Sequence, residues 1–157
     1  MRKIQLTQSQ TAMIDDEDYP IVSQSRWCIN SMGYAVRHRK KSEGLSDKIS
    51  LHRFLMGLQY GDKRQVDHIN GNKLDNRRVN LRICTLQQNQ MNRTKRKGTS
   101  IYKGVNFYKI TNKWQASIKF NQKNIHLGYF LDEVEAAKAY NKAAKEHFKD
   151  FANLNMI

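Results

Sequence analysis

The apolar residues of this chain recur in short runs, and most of the runs predict strands. Near the N-terminus they alternate with polar neighbours, and the runs 27–29 and 34–36 flank a Gly-containing turn that predicts a hairpin. The run 49–55 indicates a further strand or a short helix. Residues 1–60 are therefore predicted to form a small β-rich region.

The next stretch, 61–92, has few apolar residues, and those are single and scattered. The Asn-Gly pair at 70–71 predicts a tight turn, because both residues tolerate positive φ. Residues 79–85 alternate as a strand does, and the capping box at 85–88 predicts a helix that begins near Leu86. The predicted order is strand, polar loop, strand, helix.

The last third of the sequence alternates regularly. Three segments, within 105–107, 114–120 and 125–127, place apolar residues on one side and predict three strands with one covered face. A capping box that starts at Asp132 precedes apolar residues at the spacings of an amphipathic helix. Residues 101–157 are therefore predicted to be a three-stranded antiparallel sheet packed on one helix, and the fold class to be α+β.

The charge of the chain points to a polyanionic partner. The 157 residues include 28 Lys and Arg against 14 Asp and Glu, a net charge of +14. Nucleic acid is the usual polyanion that offsets such self-repulsion. An anionic membrane is the alternative, but no run approaches the roughly 18 apolar residues of a spanning helix. Residues 93–100 are predicted to be a basic linker, and the basic run 37–41 suits a solvated or phosphate-facing loop.

The two cysteines, Cys28 and Cys84, lie far apart, and no Cys-x-x-Cys pair occurs. The sequence therefore indicates neither a structural zinc site nor a disulfide framework, and both thiols are expected to be buried in a reducing compartment. The first ten residues lack the apolar stretch of a signal peptide. An intracellular protein without a membrane anchor is expected.

The polar stretch contains the residue types that phosphodiester hydrolysis requires. A neutral imidazole can activate water, and a divalent ion can absorb charge on the phosphate. His68 suits the first task, while Asp67 and Asn89 offer hard oxygen ligands for the ion. Two protein ligands suit Mg²⁺, which keeps waters and takes its remaining positions from substrate phosphate.

The segments V-D-H-I-N-G, N-L-R and Q-N-Q-M-N resemble the HNH endonuclease family, in particular its phage and intron-encoded homing branch. The resemblance implies a ββα-metal fold for 61–92, with His68 as general base and Asn80 as the brace of its loop. It also implies that Asp67 and Asn89 hold one divalent ion, Mg²⁺ first and Mn²⁺ second. Asn89 departs from the founding pattern, in which His is frequent.

Further candidates surround this motif. The segment I-S-L-H-R-F-L-M-G at 49–57 is similar to the segment that precedes the motif in the phage enzymes, which makes His52 a candidate supporting residue; a structural histidine is the alternative. Three arginines, Arg77, Arg78 and Arg82, are candidate phosphate contacts because they lie beside the predicted scissile-phosphate site.

Residues 101–156 resemble the APETALA2 (ERF) type of DNA-binding domain, on the segments Y-K-G-V, K-W, H-L-G-Y-F and E-A-A-K-A-Y-N. In that family the sheet lies in the major groove. The resemblance therefore implies DNA contacts at Lys103, Asn106, Lys113, Ser117, Lys119, Asn124, His126 and Tyr140. Several arginines of the plant pattern are Lys, Asn or Ser here, so its base specificity is not carried over.

Together these features predict a site-directed DNA endonuclease of the homing type. It would act on double-stranded DNA without a small-molecule cofactor, in the cytoplasm of a phage-infected bacterium. A monomer has one site, so nicking is the simple expectation, and a double-strand break would need a dimer or two binding events. The alternatives are a non-cleaving, sequence-specific DNA-binding regulator and an RNA- or ribosome-associated basic protein. The predicted segments are 1–60, 61–92, 93–100 and 101–157.

Overall fold

The computed structural model describes residues 1–38, 48–59, 61–94 and 98–157. Residues 39–41 of the predicted basic loop and 95–97 of the predicted linker lie outside this part of the chain. The described residues form two units, Met1–Asn89 and Gln90–Ile157, called unit 1 and unit 2 below. Small antiparallel sheets and a few helices make up both, which confirms the α+β fold class.

Unit 1 begins with a strand pair and continues into a three-stranded sheet. Its first elements are β1 (Arg2–Gln5), β2 (Thr11–Ile14), α1 (Tyr19–Val22), β3 (Cys28–Ile29), β4 (Ala35–His38), β5 (Lys48–Ser50) and α2 (Leu51–Leu55). β1 pairs with β2, and the second sheet has the order β3-β4-β5. The predicted hairpin is therefore present, and the run predicted as a strand or a helix contains one of each.

The remainder of unit 1 is a strand pair that leads into a helix. Its elements are β6 (Gln65–His68), β7 (Leu81–Cys84) and α3 (Leu86–Met91), the last of which contains the boundary between the units. β6 and β7 are antiparallel, with His68 opposite Leu81. At the start of α3, Gln88 N donates to Thr85 Oγ1 (3.1 Å) and Thr85 N donates to Gln88 Oε1 (2.8 Å). The predicted strand, polar loop, strand and helix are all observed in that order.

The core of unit 1 joins the N-terminal strands to the later strand pair. Val66 of β6 and Leu81 of β7 belong to the same buried cluster as Ile14 and Leu51. The polar loop between β6 and β7 is attached to β2 through the backbone of Met13. Met13 N donates to the carbonyl of residue 74, and the amide of residue 76 donates to Met13 O, each at 2.8 Å. This loop is therefore supported by the first strands of the chain.

Unit 2 is a three-stranded sheet covered on one face by a long helix. Its elements are β8 (Val105–Tyr108), β9 (Lys113–Phe120), β10 (Lys123–Phe130) and α4 (Glu133–Phe148). The strand order is β10-β9-β8, all antiparallel. Asp132 caps α4 by accepting a hydrogen bond from Glu135 N at 2.9 Å. Within the described residues, every helix is too short or too polar to cross a membrane.

Gly104 lets α4 approach the sheet closely. Its φ is +76°, and a Cβ at this position would lie 2.0 Å from the ring of Tyr140. Gly104 O also accepts a hydrogen bond from Ser117 N at 2.8 Å. Tyr140 is 2% exposed and lies between α4 and the sheet. The ring of Tyr140 packs into the core on the covered side of the sheet, which leaves it little surface for the DNA contact that the resemblance implies.

Candidate functional site

Asp67 and His68 are the last two residues of β6, and both are buried, at 6% and 5% exposure. Neighbouring residues in a regular strand point to opposite sides. Here the strand ends at His68, whose carbonyl accepts a hydrogen bond from Gly71 N at 2.9 Å and so closes a tight turn. The turn leads into the polar loop, 69–76. A carboxylate and an imidazole thus occupy one buried strand end.

Asn80 ties the two ends of the polar loop together. Its Oδ1 accepts a hydrogen bond from Asn70 N at 3.0 Å, and its Nδ2 donates to Asp75 O at 2.8 Å. The side chain is 5% exposed, and a buried amide without hydrogen-bond partners would be destabilising. A single side chain therefore holds the loop that follows His68.

Asp75 and Asn76 are the two most buried residues of the loop, at 1% and 0% exposure, and sequence reasoning missed both. Asp75 accepts hydrogen bonds from Arg77 Nε and Nη2, each at 2.7 Å, and from Asn70 Nδ2 at 3.0 Å. The bonds from Arg77, more than any other cause, lower the pKa of the Asp75 carboxyl. The sequence feature that could have indicated both residues is the run of short polar side chains directly after the tight turn.

Asn76 contacts the imidazole of His68. Asn76 Oδ1 lies 3.4 Å from His68 Nε2, and Asn76 Nδ2 donates to the carbonyl of Lys73 at 3.4 Å. Burial lowers the pKa of His68 from its ordinary value, and the contact with Asn76 and the charge of Asp67 oppose that effect in part. The imidazole is therefore neutral at pH 7, which is the form that can accept a proton.

Two rings from earlier elements pack around His68. The ring of His52, from α2, lies edge-on at 5.1 Å between centroids, and Tyr34, just before β4, lies 6.0 Å away. His52 and Tyr34 are themselves 5.1 Å apart. Burial, more than the neighbouring charges, lowers the pKa of His52 to about 3. Its buried Nδ1 has no hydrogen-bond partner among the described residues. His52 thus touches the site as an uncharged ring.

The three candidate phosphate contacts of unit 1 all pair with carboxylates. Arg77 binds Asp75 as described above. Arg78 donates to both carboxylate oxygens of Asp18, at 3.0 and 2.6 Å. Arg82 donates from Nε and Nη2 to one oxygen of Asp67, at 2.9 and 2.7 Å. The Arg82 side chain is only 17% exposed, against 47% for Arg78. Their positive charge is therefore partly offset within unit 1.

Asp67 and Asn89 offer a carboxylate and an amide oxygen. Asn89 is half-buried on the first turns of α3, whose start the capping box at 85–88 fixes. Among the described residues, His, Cys, Asp and Glu side chains form no cluster of three or more that could hold a metal ion. Carboxylate and amide oxygens are the ligand types that hard divalent ions accept. Arg82 competes for one oxygen of Asp67.

Most of the candidate DNA contacts of unit 2 lie on the side of the sheet that α4 does not cover. Five of these side chains are exposed and Ser117 is half-buried; the exposed ones are Asn106, Lys113, Lys119, Asn124 and His126. Lys103 is half-buried instead of exposed, and its Nζ donates to Met91 O at 2.6 Å. Burial lowers the pKa of Lys103 to about 8. The same exposed face carries Tyr108, Gln115 and Tyr129, which sequence reasoning missed.

Comparisons with known proteins match the segment that contains this site. The family model for HNH endonucleases matches residues 50–91. A protein of Acanthamoeba polyphaga mimivirus, described as an uncharacterized HNH endonuclease, is 36% identical over 151 residues, which cover 93% of this chain and 75% of that protein. An ethylene-responsive transcription factor-like protein of Arabidopsis thaliana is 41% identical over 58 residues, 37% of this chain and 25% of that protein. No solved structure gives a significant match.

Proposed function

The chain belongs to the HNH endonuclease family, and on that premise we propose that it is a metal-dependent DNA endonuclease of the homing type with His68 as general base. The observation that carries the proposal is the pairing of a buried, uncharged imidazole with a buried carboxylate at one strand end, beside a loop tied by Asn80. A neutral imidazole can remove a proton from the attacking water. The residues of the 61–92 segment would perform the chemistry.

Asn76 would set the tautomer of the base. Its Nδ2 donates to the carbonyl of Lys73, so its Oδ1 is the atom that faces His68 Nε2. An acceptor at that position favours a hydrogen on Nε2 and leaves the lone pair on Nδ1. His68 Nδ1 is then the atom that takes the proton from water. His52 and Tyr34 would act as positioning residues, because their rings limit rotation of the imidazole.

Asp67 and Asn89 would hold the divalent ion, with Mg²⁺ preferred and Mn²⁺ as a substitute. The ion would supply Lewis-acid stabilisation of charge on the phosphate and on the leaving oxygen. Arg82, held against Asp67, would turn toward the scissile phosphate when DNA and the ion are bound, since a guanidinium forms strong bonds to phosphate oxygens. Arg77 and Arg78 would add weaker contacts from their partly exposed edges.

Unit 2 would hold the DNA through the uncovered face of its sheet. The resemblance of this unit to the APETALA2 type and the exposed Asn106, Lys113, Lys119, Asn124 and His126 support this role. Lys103 would contribute by supporting the backbone of Met91. The substrate would be duplex DNA, and a monomer with one site would nick one strand. The proposal keeps the predicted segments 1–60, 61–92, 93–100 and 101–157. It also keeps a phage-infected bacterium as the setting of the protein.

Supercoiled plasmid incubated with the full chain and Mg²⁺ tests the proposal. The expected result is conversion to the nicked form, blocked by EDTA and by His68→Ala. His38→Ala is the matched control, because His38 is exposed on β4. Cleavage by His68→Ala at the wild-type rate would contradict the role of the base. A plasmid that is bound and stays intact in Mg²⁺ and in Mn²⁺ would favour a non-cleaving regulator.

A further inference from the structure

The uncovered face of the sheet in unit 2 has a central row of polar, uncharged side chains. The strand register places Gln115 of β9 between Asn106 of β8 and Tyr129 of β10. In the next row Ser117 is opposite His126. A cross-strand row brings side chains within contact distance, so these residues present one continuous surface.

Gln115 is held in place by neighbouring side chains. Its Nε2 donates to His126 Nδ1 at 3.2 Å. The ring of His126 lies 4.7 Å from that of Tyr129, and Tyr129 lies 5.4 Å from Tyr108. An amide fixed by a hydrogen bond to a packed ring loses little rotational freedom on binding. The three rings therefore act as a support for the Gln115 amide.

Charged residues lie at the two ends of this face and not in its centre. Residues 105–130 contain four lysines and no Arg, Asp or Glu. Lys109 and Lys113 lie at the turn between β8 and β9, and Lys119 and Lys123 lie near the turn between β9 and β10. Cations on both sides of a neutral polar centre match a DNA groove, in which two phosphate backbones flank the edges of the bases.

The amides determine which base this centre can read. Arginine forms the bidentate contact with guanine most often, whereas Asn and Gln form the bidentate contact with adenine through N6 and N7. The sequence has no Arg after Arg96. Gln115 uses one of its two Nε2 hydrogens on His126, so the second hydrogen and Oε1 match N7 and N6 of adenine. Asn106 supplies a second amide about 4.8 Å away, on the adjacent strand.

We propose that the uncovered sheet face of unit 2 reads adenine in the major groove of duplex DNA, with Gln115 as the specificity-determining residue and His126 as its positioning residue. The lysines at the ends of the face contact phosphates and contribute affinity without sequence preference. Tyr108 and Tyr129 provide apolar ring edges against thymine methyl groups. This inference rests on the proposed function in one respect, namely that the partner is duplex DNA.

Selection from a pool of randomised duplexes tests the inference, with the full chain in EDTA so that binding is measured without cleavage. The expected result is a selected site with adenine at one or more invariant positions. Replacement of the adenine that Gln115 reads should weaken wild-type binding by about 5- to 150-fold, the range that one bidentate base contact supplies. Gln115→Glu keeps the side-chain shape but cannot donate to N7, so it should lose that discrimination.

Two further variants distinguish the base preference from the electrostatic contribution of the lysines to affinity. Gln115→Arg should move the preference at the same position from adenine to guanine. Lys119→Ala is the matched control: it should weaken binding to all sequences alike, lower the salt dependence by about one counterion and keep the adenine preference. Variants that bind should also show the wild-type circular dichroism spectrum, which excludes misfolding.

Enrichment of sites without adenine, an unchanged adenine preference in Gln115→Glu, or a preference for single-stranded RNA over every duplex would each overturn the inference. Plasmid nicking by the same preparation is scored separately. A chain that nicks plasmid but selects G·C-rich sites would refute the adenine preference and leave the proposed endonuclease intact. A chain that selects adenine-containing sites and never nicks would refute the endonuclease instead.

Discussion

Asn76 Oδ1 lies 3.4 Å from Nε2 of His68, and both side chains are buried. The contact joins an amide in the polar loop to the imidazole at the end of β6. Among the described residues, the other hydrogen bond of the Asn76 side chain is from its Nδ2 to the carbonyl of Lys73. Through this contact, the folded polar loop holds the imidazole of the proposed base in position.

Replacement of Asn76 should alter the pH dependence of cleavage. In Asn76→Asp the new carboxylate favours the imidazolium, which raises the pKa of His68. Because the base must be neutral, the acid limb of the profile of kcat/KM against pH should move to higher pH. Asn76→Ala should lower kcat with little change in KM, because it leaves the tautomer unset, and the loss should stay below the roughly 100- to 10,000-fold that a general base contributes.

The control for the charge of Asn76→Asp is Asn72→Asp. Asn72 is exposed in the same loop, and its Oδ1 accepts a hydrogen bond from Leu74 N that an aspartate can keep. This variant should retain the wild-type profile. Equal shifts in the two variants would mean that net charge, and not the contact with His68, governs the effect.

His52 should make unit 1 less stable in mild acid. Its folded-state pKa is about 3, whereas an unfolded histidine titrates near ~6.5. Between these values the unfolded state binds the extra proton, so the free energy of unfolding falls as the pH falls. The expected loss from His52 between pH 7 and pH 5 is about 2 kcal/mol.

Urea unfolding at pH 7 and pH 5 measures this effect. Fluorescence of Trp27, buried in unit 1, reports the transition in a Trp114→Phe background. His52→Phe should reduce the pH dependence, and the exposed His38→Phe should leave it unchanged. The same loss of stability in His52→Phe as in the parent protein would contradict a neutral, buried His52.

Asn80→Ala should destabilise unit 1 by about 2–6 kcal/mol. The change removes the partners of Asn70 N and Asp75 O, and each buried polar group without a partner costs about 1–3 kcal/mol. The same urea assay measures the effect, with the exposed Gln24→Ala as a neutral control. A loss of cleavage without any loss of stability would instead indicate that Asn80 contacts the substrate.

Gly104→Ala should destabilise unit 2 more than Gly71→Ala destabilises unit 1. Both glycines have positive φ, at +76° and +74°, so both variants acquire backbone strain of about 1–2 kcal/mol. Only at Gly104 would the new Cβ overlap the Tyr140 ring, at 2.0 Å, which adds about 1–3 kcal/mol. Thermal unfolding followed by fluorescence of Trp114 or Trp27 compares the two. Equal losses would mean that α4 can shift to make room.

The features that the sequence predicted well depend on residues close together in the chain. The cap formed by Thr85 and Gln88 and the cap at Asp132 each join groups three positions apart, so short-range geometry determines them. The alternation of apolar residues in β9 likewise determined which face packs against α4. The pairing of Asp67 with His68 at one strand end was also readable, because the two are adjacent.

The tertiary structure decided which side chains surround these residues. Tyr34 and His52 reach His68 from separate elements, and Arg78 meets Asp18 from across unit 1. The resemblance placed Tyr140 at the DNA surface, but the close approach that Gly104 permits puts it in the core. By itself the sequence determined the elements, the charge and the reactive side chains, since these follow from local geometry and composition. Which polar groups are buried, and against which partners, followed only from packing, because burial depends on residues far apart in the chain.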